Sequence, residues 1–154
     1  MEYKFYNLAL RFLSYRPRSE KEVRDKLKTK QVDSQVIEKI ILKLREKKFI
    51  DDEEFAKGWI ESRSRFKPRS ARLIGIELKQ KGIEKDLIDK LINDLSLTVS
   101  DLQSAKNLVE KKIGRFKNLP KQEIYQKLGR FLASKGFNWD TIKKSIDEIL
   151  DKGV

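Results

Sequence analysis

Apolar side chains recur along this chain every three or four residues, the spacing that places them on one face of an α-helix. The first stripe runs through Phe5, Leu8, Ala9, Phe12 and Leu13. Similar stripes follow, and proline and glycine interrupt them only rarely. No stretch alternates apolar and polar residues for long enough to predict a β-strand. The pattern therefore predicts an all-α protein.

The order of breaks and stripes occurs more than once. The tripeptide Pro-Arg-Ser at residues 17–19 returns at residues 68–70, which is 51 positions later. At that spacing apolar residues of the first copy correspond to apolar residues of the second; Val23, for example, corresponds to Ile74. A chance match would not keep both the break and the apolar register, so the chain contains an internal repeat.

A third, fainter copy follows the second. The tripeptide Lys-Gly-Ile at residues 81–83 corresponds to Lys-Gly-Phe at residues 135–137, which is 54 positions later. Glycine at this position suits a left-handed helix end that is followed by an apolar residue folding back. Gln31 occupies the equivalent position in the first copy, so we expect that device to be absent there.

Each copy holds three helices within about 50 residues, a length typical of tandem repeat units. Units of this kind contact mainly their neighbours, so three of them are expected to stack into an elongated, curved body. We place the three-helix units at residues 1–50, 51–98 and 99–154.

Composition narrows the chemistry available to this helical chain. Its 154 residues include neither cysteine nor histidine, which excludes disulfides, thiolate metal sites and histidine-dependent catalysis. No apolar run is long enough to cross a membrane, and the first residues lack the features of a signal peptide. We therefore expect a cytoplasmic protein with no catalytic residue, no metal, no cofactor and no membrane contact.

The chain is strongly basic. Lys and Arg number 36 against 24 Asp and Glu, which gives a formal net charge of +12. Every third of the sequence carries a basic excess, so the positive charge is not confined to a tail. A long positive surface points to polyanions such as nucleic acid, or to an acidic protein partner.

The sharpest electrostatic feature is the stretch 62–72, which holds five basic residues, no acid and the aromatic Phe66. The next helix is expected to begin at Ser70, where free backbone N–H groups favour anions. Phe66 either stacks on a nucleic-acid base or packs inside the turn, and the stretch is either a binding loop or a solvated helix end. The predicted contacts are Arg63, Arg65, Lys67, Arg69 and Arg72.

Two further basic stretches occupy the equivalent place in the other units. They lie at residues 16–18 and 111–121, each between the opening helix and the second helix of its unit. Three similar basic loops along one edge are therefore expected, although charge runs often serve only solubility. The predicted contacts in these loops are Arg16, Arg18, Lys111, Lys112, Arg115, Lys117 and Lys121.

Four consecutive acids at residues 51–54 allow two interpretations. Paired carboxylates can hold magnesium, as in a metal-dependent nuclease. Consecutive side chains in a first helical turn point in different directions, however, and acids there cap the backbone N–H groups and complement the helix dipole. We favour the capping interpretation.

We also assign structural roles to Trp59 and Trp139, the former because it falls on an apolar stripe.

Several of these motifs together resemble a known family. Residues 49–59 with Arg63, the run 16–22 and the tripeptide 81–83 resemble the RecX family, bacterial regulatory proteins that bind the recombinase RecA. The resemblance extends over roughly residues 5–150. It implies three tandem three-helix units that bind within the helical groove of the filament formed by RecA on single-stranded DNA. It also implies inhibition of filament growth, ATP hydrolysis and strand exchange.

The resulting hypothesis is a monomeric, non-enzymatic regulator whose partners are the RecA filament and single-stranded DNA, met directly or within the filament. The chief alternative is a DNA-binding architectural protein that acts without RecA. Such a protein would lose affinity steeply with salt whether or not RecA is present. A metal-dependent nuclease and a scaffold that engages neither DNA nor RecA are the remaining alternatives.

Overall fold

The computed structural model describes residues 2–94 and 99–152. Over these ranges the chain forms nine α-helices and one short 3₁₀-helix, and it contains no strand. The α-helices are α1 (Glu2–Tyr15), α2 (Glu20–Thr29), α3 (Ser34–Glu46), α4 (Asp52–Arg65), α5 (Ala71–Gln80), α6 (Lys85–Ile92), α7 (Asp101–Lys112), α8 (Lys121–Ser134) and α9 (Trp139–Lys152). The 3₁₀-helix, Ile113–Phe116, follows α7 directly. The all-α prediction is confirmed.

Three helices at a time enclose a separate apolar core, which defines unit 1 (α1–α3), unit 2 (α4–α6) and unit 3 (α7–α9). The predicted repeat is confirmed by equivalent core positions, because Leu27, Leu78 and Leu132 are all fully buried. The exact unit boundaries and the curvature of the stack stay predictions. Residues 95–98, assigned to the end of the second unit, lie outside the described part of the chain.

None of the described helices has the length and hydropathy that crossing a bilayer requires.

Serine caps the second helix in units 1 and 2. Ser19 forms the predicted capping box with Glu22, in which the Ser19 hydroxyl accepts from the Glu22 N–H at 3.2 Å and a Glu22 oxygen accepts from the Ser19 N–H at 3.1 Å. The Ser70 hydroxyl accepts from the Leu73 N–H at 3.1 Å. Both serines are buried, so the two Pro-Arg-Ser turns are structural parts of the repeat.

An aspartate joins each pair of neighbouring units. It is the first residue of the opening helix of the second unit in the pair. Asp52 of α4 accepts a hydrogen bond from the backbone N–H of Glu20, the first residue of α2, at 2.9 Å. Asp101 of α7 accepts from the N–H of Ala71, the first residue of α5, also at 2.9 Å. The same helix-capping contact therefore occurs at both junctions.

Glycine permits the close approach of neighbouring units at the same junctions, beside the N-terminal ends of α2 and α5. Gly82 has a left-handed φ of +81°, and a Cβ there would stand 2.6 Å from Cβ of Lys21 in unit 1. Gly136 has a φ of +91°, and a Cβ there would stand 2.8 Å from Cβ of Leu73 in unit 2. These two glycines thus provide both the left-handed backbone and the space for the preceding unit.

The expectation that this helix end is absent from unit 1 is wrong. Gln31 has a left-handed φ of 59°, its N–H donates to the Lys28 carbonyl at 2.9 Å, and the Val32 N–H donates to the Leu27 carbonyl at 3.2 Å. The hydrogen bonds of the turn offset the cost of a side chain in this conformation. Unit 1 is the first of the three described units, so its turn does not contact a preceding one among them.

Replacing Gln31 with glycine should raise the free energy of unfolding by about 0.5–1 kcal/mol, because relief of the left-handed strain exceeds the added flexibility of the unfolded chain. Chemical denaturation followed by circular dichroism measures this change. The matched control is Lys30→Gly, one residue earlier at a φ of −89°, which should destabilise. A loss of stability in both variants would contradict the strain argument.

Candidate polyanion-binding surface

The three basic loops connect the first and second helices of their units, as the repeat predicts, and in units 2 and 3 the basic residues extend into the ends of those helices. The side chains nevertheless differ in how they are held. Some are fastened to the protein by carboxylates or aromatic rings, two have weaker attachments, and the rest project into solvent without such partners among the described residues. This division decides which cations are available to an anionic ligand.

Glu77 of α5 holds two of the predicted arginines in unit 2. It accepts from Nε of Arg63 at 3.1 Å and forms a second ion pair with Arg69. The Arg63 guanidinium also lies 4.5 Å from the ring centroid of Trp59, whose Nε1 donates to Glu77 at 3.2 Å. Arg63 and Arg69 are both part-buried, so their first role is to fasten the loop to α5.

Sequence reasoning missed Glu77 because it lies outside the basic stretch. The signal was present, since Glu77 is the only acid between residues 62 and 83. A single carboxylate on the helix that follows an acid-free stretch is the obvious partner for its least exposed arginines.

Glu22 of α2 plays the corresponding part in unit 1. It pairs with Arg16 at 2.5 Å and with Arg18 at 3.8 Å, and it also meets Lys81 of unit 2 at 3.5 Å. The Arg18 guanidinium lies 3.9 Å from the ring centroid of Phe12. Burial acts to raise the pKa of Glu22, but hydrogen bonds from Arg16 and the Ser19 backbone, with the charge of Lys81, lower it below its ordinary value.

Two other predicted cations have weaker attachments. Among the described residues, Arg65 pairs only with Glu61, one turn earlier on the exposed face of α4, at 3.0 Å. Such an exposed pair contributes little and leaves the guanidinium available. Lys112 places its Nζ 3.7 Å from the ring centroid of Phe131, so it is partly occupied within unit 3.

The remaining predicted cations are exposed, and they have no ion-pair or cation–π partner among the described residues. All of them belong to the loop regions of units 2 and 3. They are Lys67, Arg72, Lys111, Arg115, Lys117 and Lys121. We call this set the open cations.

A cleft between units 2 and 3 brings part of the two basic loops together. Ser64, Arg65 and Pro68 line one side, and Asn107, Glu110 and Lys111 line the other, around a volume of about 420 Å³. Arg65 and Lys111, which are distant in sequence, therefore flank one cleft. Glu110 also lines the cleft, and its negative charge reduces the net positive charge there.

Phe66 stands beside this cleft at the end of α4 and is 74% exposed. Of the two placements that the sequence allowed, packing inside the turn is therefore wrong. An exposed aromatic ring flanked by the cations Arg65 and Lys67 is suited to stacking on a nucleic-acid base.

The four acids at residues 51–54 go to four different partners. Asp51 caps α4, accepting from the N–H groups of Glu53 at 3.1 Å and Glu54 at 3.2 Å, as the capping interpretation predicted. Glu53 and Glu54 pair with the separate lysines Lys90 and Lys57. Within the described ranges no group of three carboxylates could hold a metal ion.

The fourth acid, Asp52, is turned toward unit 1. Its carboxylate is half-buried at the junction, and burial raises its pKa, while the hydrogen bond from the Glu20 N–H acts in the opposite direction. Its position is explained by capping of α2, not by chemistry on a ligand.

The two tryptophans have different surroundings. Trp59 is part-buried against the core of unit 2, stacked on Phe55 with ring centroids 5.8 Å apart, as its apolar stripe predicted. Trp139 is 64% exposed, and its assigned structural role stays a prediction. Its ring lies close to Gly129 of α8, where an added Cβ would stand 3.6 Å from the ring, an ordinary van der Waals contact.

Comparison with known proteins agrees with this architecture. Models for the first, second and third three-helix domains of RecX match residues 6–49, 51–92 and 100–146. The matched segments correspond in order to units 1, 2 and 3.

Curated relatives carry the same name. The chain is 35% identical over 146 residues to the regulatory protein RecX of Bacillus subtilis, which covers 95% of this chain and 55% of that protein. It is 37% identical over 147 residues to the regulatory protein RecX of Clostridium tetani, which covers 92% of this chain and 65% of the relative. The chain thus spans somewhat more than half the length of these relatives.

A solved structure matches over almost its whole length. The crystal structure of RecX from Lactobacillus salivarius superposes with a TM-score of 0.78 at 28% identity, covering 96% of this chain and 95% of that one. Sequence, domain order and three-dimensional structure therefore agree, and the chain belongs to the RecX family of regulatory proteins.

Proposed function

We propose that this chain binds the filament that RecA forms on single-stranded DNA and inhibits filament extension, ATP hydrolysis and strand exchange, without catalysing a reaction itself. Membership of the RecX family supports a regulatory role. The observation that carries the proposal further is the set of open cations, which offers anionic partners a series of contacts on units 2 and 3. The regulator acts as a monomer in the cytoplasm.

The mechanism follows from the division among the basic side chains. Arg63 and Arg69, held by Glu77, keep the loop of unit 2 in place. The open cations then contact phosphate or acidic protein surface without first giving up an internal partner. Several modest contacts on one multi-unit chain add up to useful affinity. A chain bound in this way obstructs subunit addition and the motions that accompany ATP hydrolysis.

The test is ATP hydrolysis by a preformed RecA filament on single-stranded DNA, titrated with this protein, beside a binding titration on DNA alone. Inhibition at protein concentrations well below that of RecA, with weak binding to DNA alone, is the expected result. Unchanged hydrolysis at saturating protein would overturn the proposal.

The exposed ring of Phe66 among Arg65 and Lys67 favours a second candidate, direct binding of single-stranded nucleic acid without RecA. This function would give tight binding to DNA alone that weakens steeply with added salt. The titration on DNA alone therefore separates the two candidates. The nuclease alternative loses its basis, since the acids at residues 51–54 point to separate partners.

A further inference from the structure

A groove on unit 1 has both an apolar floor and a positive rim. It encloses about 590 Å³ and is lined by Lys4, Phe5, Asn7, Leu8, Arg11 and Lys30. Phe5 and Leu8 are half-buried and rest on the core of unit 1, so they form a floor backed by packed protein. None of the lining residues belongs to the basic loops discussed above.

The positive charge of this groove is not compensated. Lys4, Arg11 and Lys30 are exposed, and none of them has an ion-pair or cation–π partner among the side chains of residues 3–94 and 99–151. Elsewhere in unit 1 the arginines have acidic partners; Arg24 and Arg45, for example, both pair with Glu20. No acid is among the described side chains that line the groove.

The spacing of the cations matches a helical ligand. Lys4 and Arg11 are seven residues apart on α1, which is two helical turns or about 10 Å along the axis. They therefore lie on the same side of α1, with Leu8 between them. Acidic side chains two turns apart on a bound helix, with an apolar side chain between them, would meet this arrangement.

Nucleic acid fits the groove less well. Single strands gain affinity by stacking bases on exposed aromatic faces, whereas Phe5 is half-buried and Leu8 offers no ring. A half-buried aliphatic and aromatic floor receives an apolar side chain better than it receives a planar base. The rim then supplies the electrostatic complementarity that selects an acidic partner.

We infer that the groove of unit 1 is a docking site for an acidic, amphipathic peptide segment of a partner protein. The segment anchors an apolar side chain on Phe5 and Leu8 while its carboxylates meet Lys4, Arg11 and Lys30. The inference goes beyond filament regulation and does not depend on it, because binding at this groove needs neither RecA nor DNA.

The direct test uses a fluorescein-labelled synthetic helix of about 18 residues, built from Glu, Ala, Gln and Leu, with glutamates seven residues apart on either side of a leucine. Its binding is measured by fluorescence anisotropy, beside a scrambled peptide of equal composition and an oligothymidylate of similar length. We expect the ordered peptide to bind at least about tenfold more tightly than the scrambled one, since only its leucine and acids share one face. Equal binding of the two peptides, or binding of the oligothymidylate alone, would overturn the inference.

Matched variants locate the site. Lys4→Glu, Arg11→Glu and Lys30→Glu together should weaken peptide binding at least about tenfold, because attraction becomes repulsion at the rim. The control combines Lys39→Glu, Lys79→Glu and Lys143→Glu, three exposed lysines that make the same charge change outside the groove. Equal losses in both triples would show a general charge effect and contradict the assigned site.

A milder pair of variants keeps the test decisive if the groove triple folds poorly, which circular dichroism reports. Arg11→Gln removes one exposed rim charge, and Lys39→Gln removes one charge elsewhere. Only Arg11→Gln should weaken binding of the ordered peptide, and an equal response to both substitutions would contradict the inference.

Discussion

Replacing Gly136 with alanine should lower the free energy of unfolding by about 3 kcal/mol or more. Two effects add at this position. A side chain at a φ of +91° is strained, and the new methyl group would stand 2.8 Å from Cβ of Leu73 and closer still to Oγ of Ser70. Cβ of Leu73 is fixed to the backbone of α5, so no side-chain rotation clears it, and rotation of the Ser70 hydroxyl would break its hydrogen bond with the Leu73 N–H. Relief would require units 2 and 3 to move apart.

The movement would also disturb hydrogen bonds at the same junction. The Ser70 N–H donates to the Lys135 carbonyl at 3.0 Å, directly beside Gly136. On the other side of that cap, Asp101 accepts from the Ala71 N–H. A displacement large enough to admit a methyl group therefore weakens contacts that each stabilise the fold by about 1 kcal/mol.

Urea denaturation followed by helical circular dichroism measures the effect, with Gly58→Ala as the matched control. Gly58 lies inside α4, and a Cβ there would have no atom within 4 Å. Alanine should therefore raise stability at Gly58 by about 0.5–1 kcal/mol. If Gly136→Ala were also stabilising, the close approach of units 2 and 3 would be refuted.

The comparison of Gly136 with Gln31 shows how far the sequence predicts this fold. Apolar periodicity and the Pro-Arg-Ser repeat were sufficient to predict the helices and their grouping, because both depend on residues close together in sequence. The left-handed turn at Gln31 is not predicted by the sequence, because glycine is the usual signal for such a turn and this position holds glutamine. Some positions need glycine because a neighbouring unit leaves no space for a side chain, whereas others merely favour it. The sequence separates the two kinds only when the position of the neighbouring unit is known.

The charged residues of the candidate site show the same limit of prediction from sequence. The basic stretches are visible in the sequence, but Glu77 pairs with Arg63 and Arg69 from the next helix, and Glu22 pairs with Arg16 and Arg18. Counting acids within a stretch cannot detect partners that the fold brings in. The capping contact made by Asp52 was missed for the same reason, since its partner Glu20 is 32 residues away.

The difference between the open cations and the arginines held by carboxylates predicts that only the open cations govern binding to the RecA filament. Reversing Lys67, Arg72 and Lys111 to glutamate should weaken binding to the RecA filament by about 100-fold at low salt, because three phosphate or carboxylate contacts are lost and replaced by repulsion. These side chains are exposed and have no partner among the described residues. The helical content and the free energy of unfolding should therefore change little.

Two readouts test this prediction: the protein concentration that halves ATP hydrolysis by the filament, and the salt dependence of filament binding. The triple variant should need far more protein for half inhibition. Where its contacts are to phosphate, it should also lose about one unit of salt slope for each reversed cation. Lys39→Glu, Lys79→Glu and Lys143→Glu together give the same change in net charge away from the basic loops.

The held arginines provide the opposite expectation. Arg69→Gln leaves Glu77 without one of its two charged partners and should lower the free energy of unfolding by about 1–3 kcal/mol. Its effect on inhibition should follow from that lost stability, so it should diminish under conditions where the variant is fully folded. If folded Arg69→Gln lost as much inhibition as the triple reversal, or if the control triple did, the assignment of binding to the open cations would be wrong. The loops would then act through their overall charge or through the held arginines themselves.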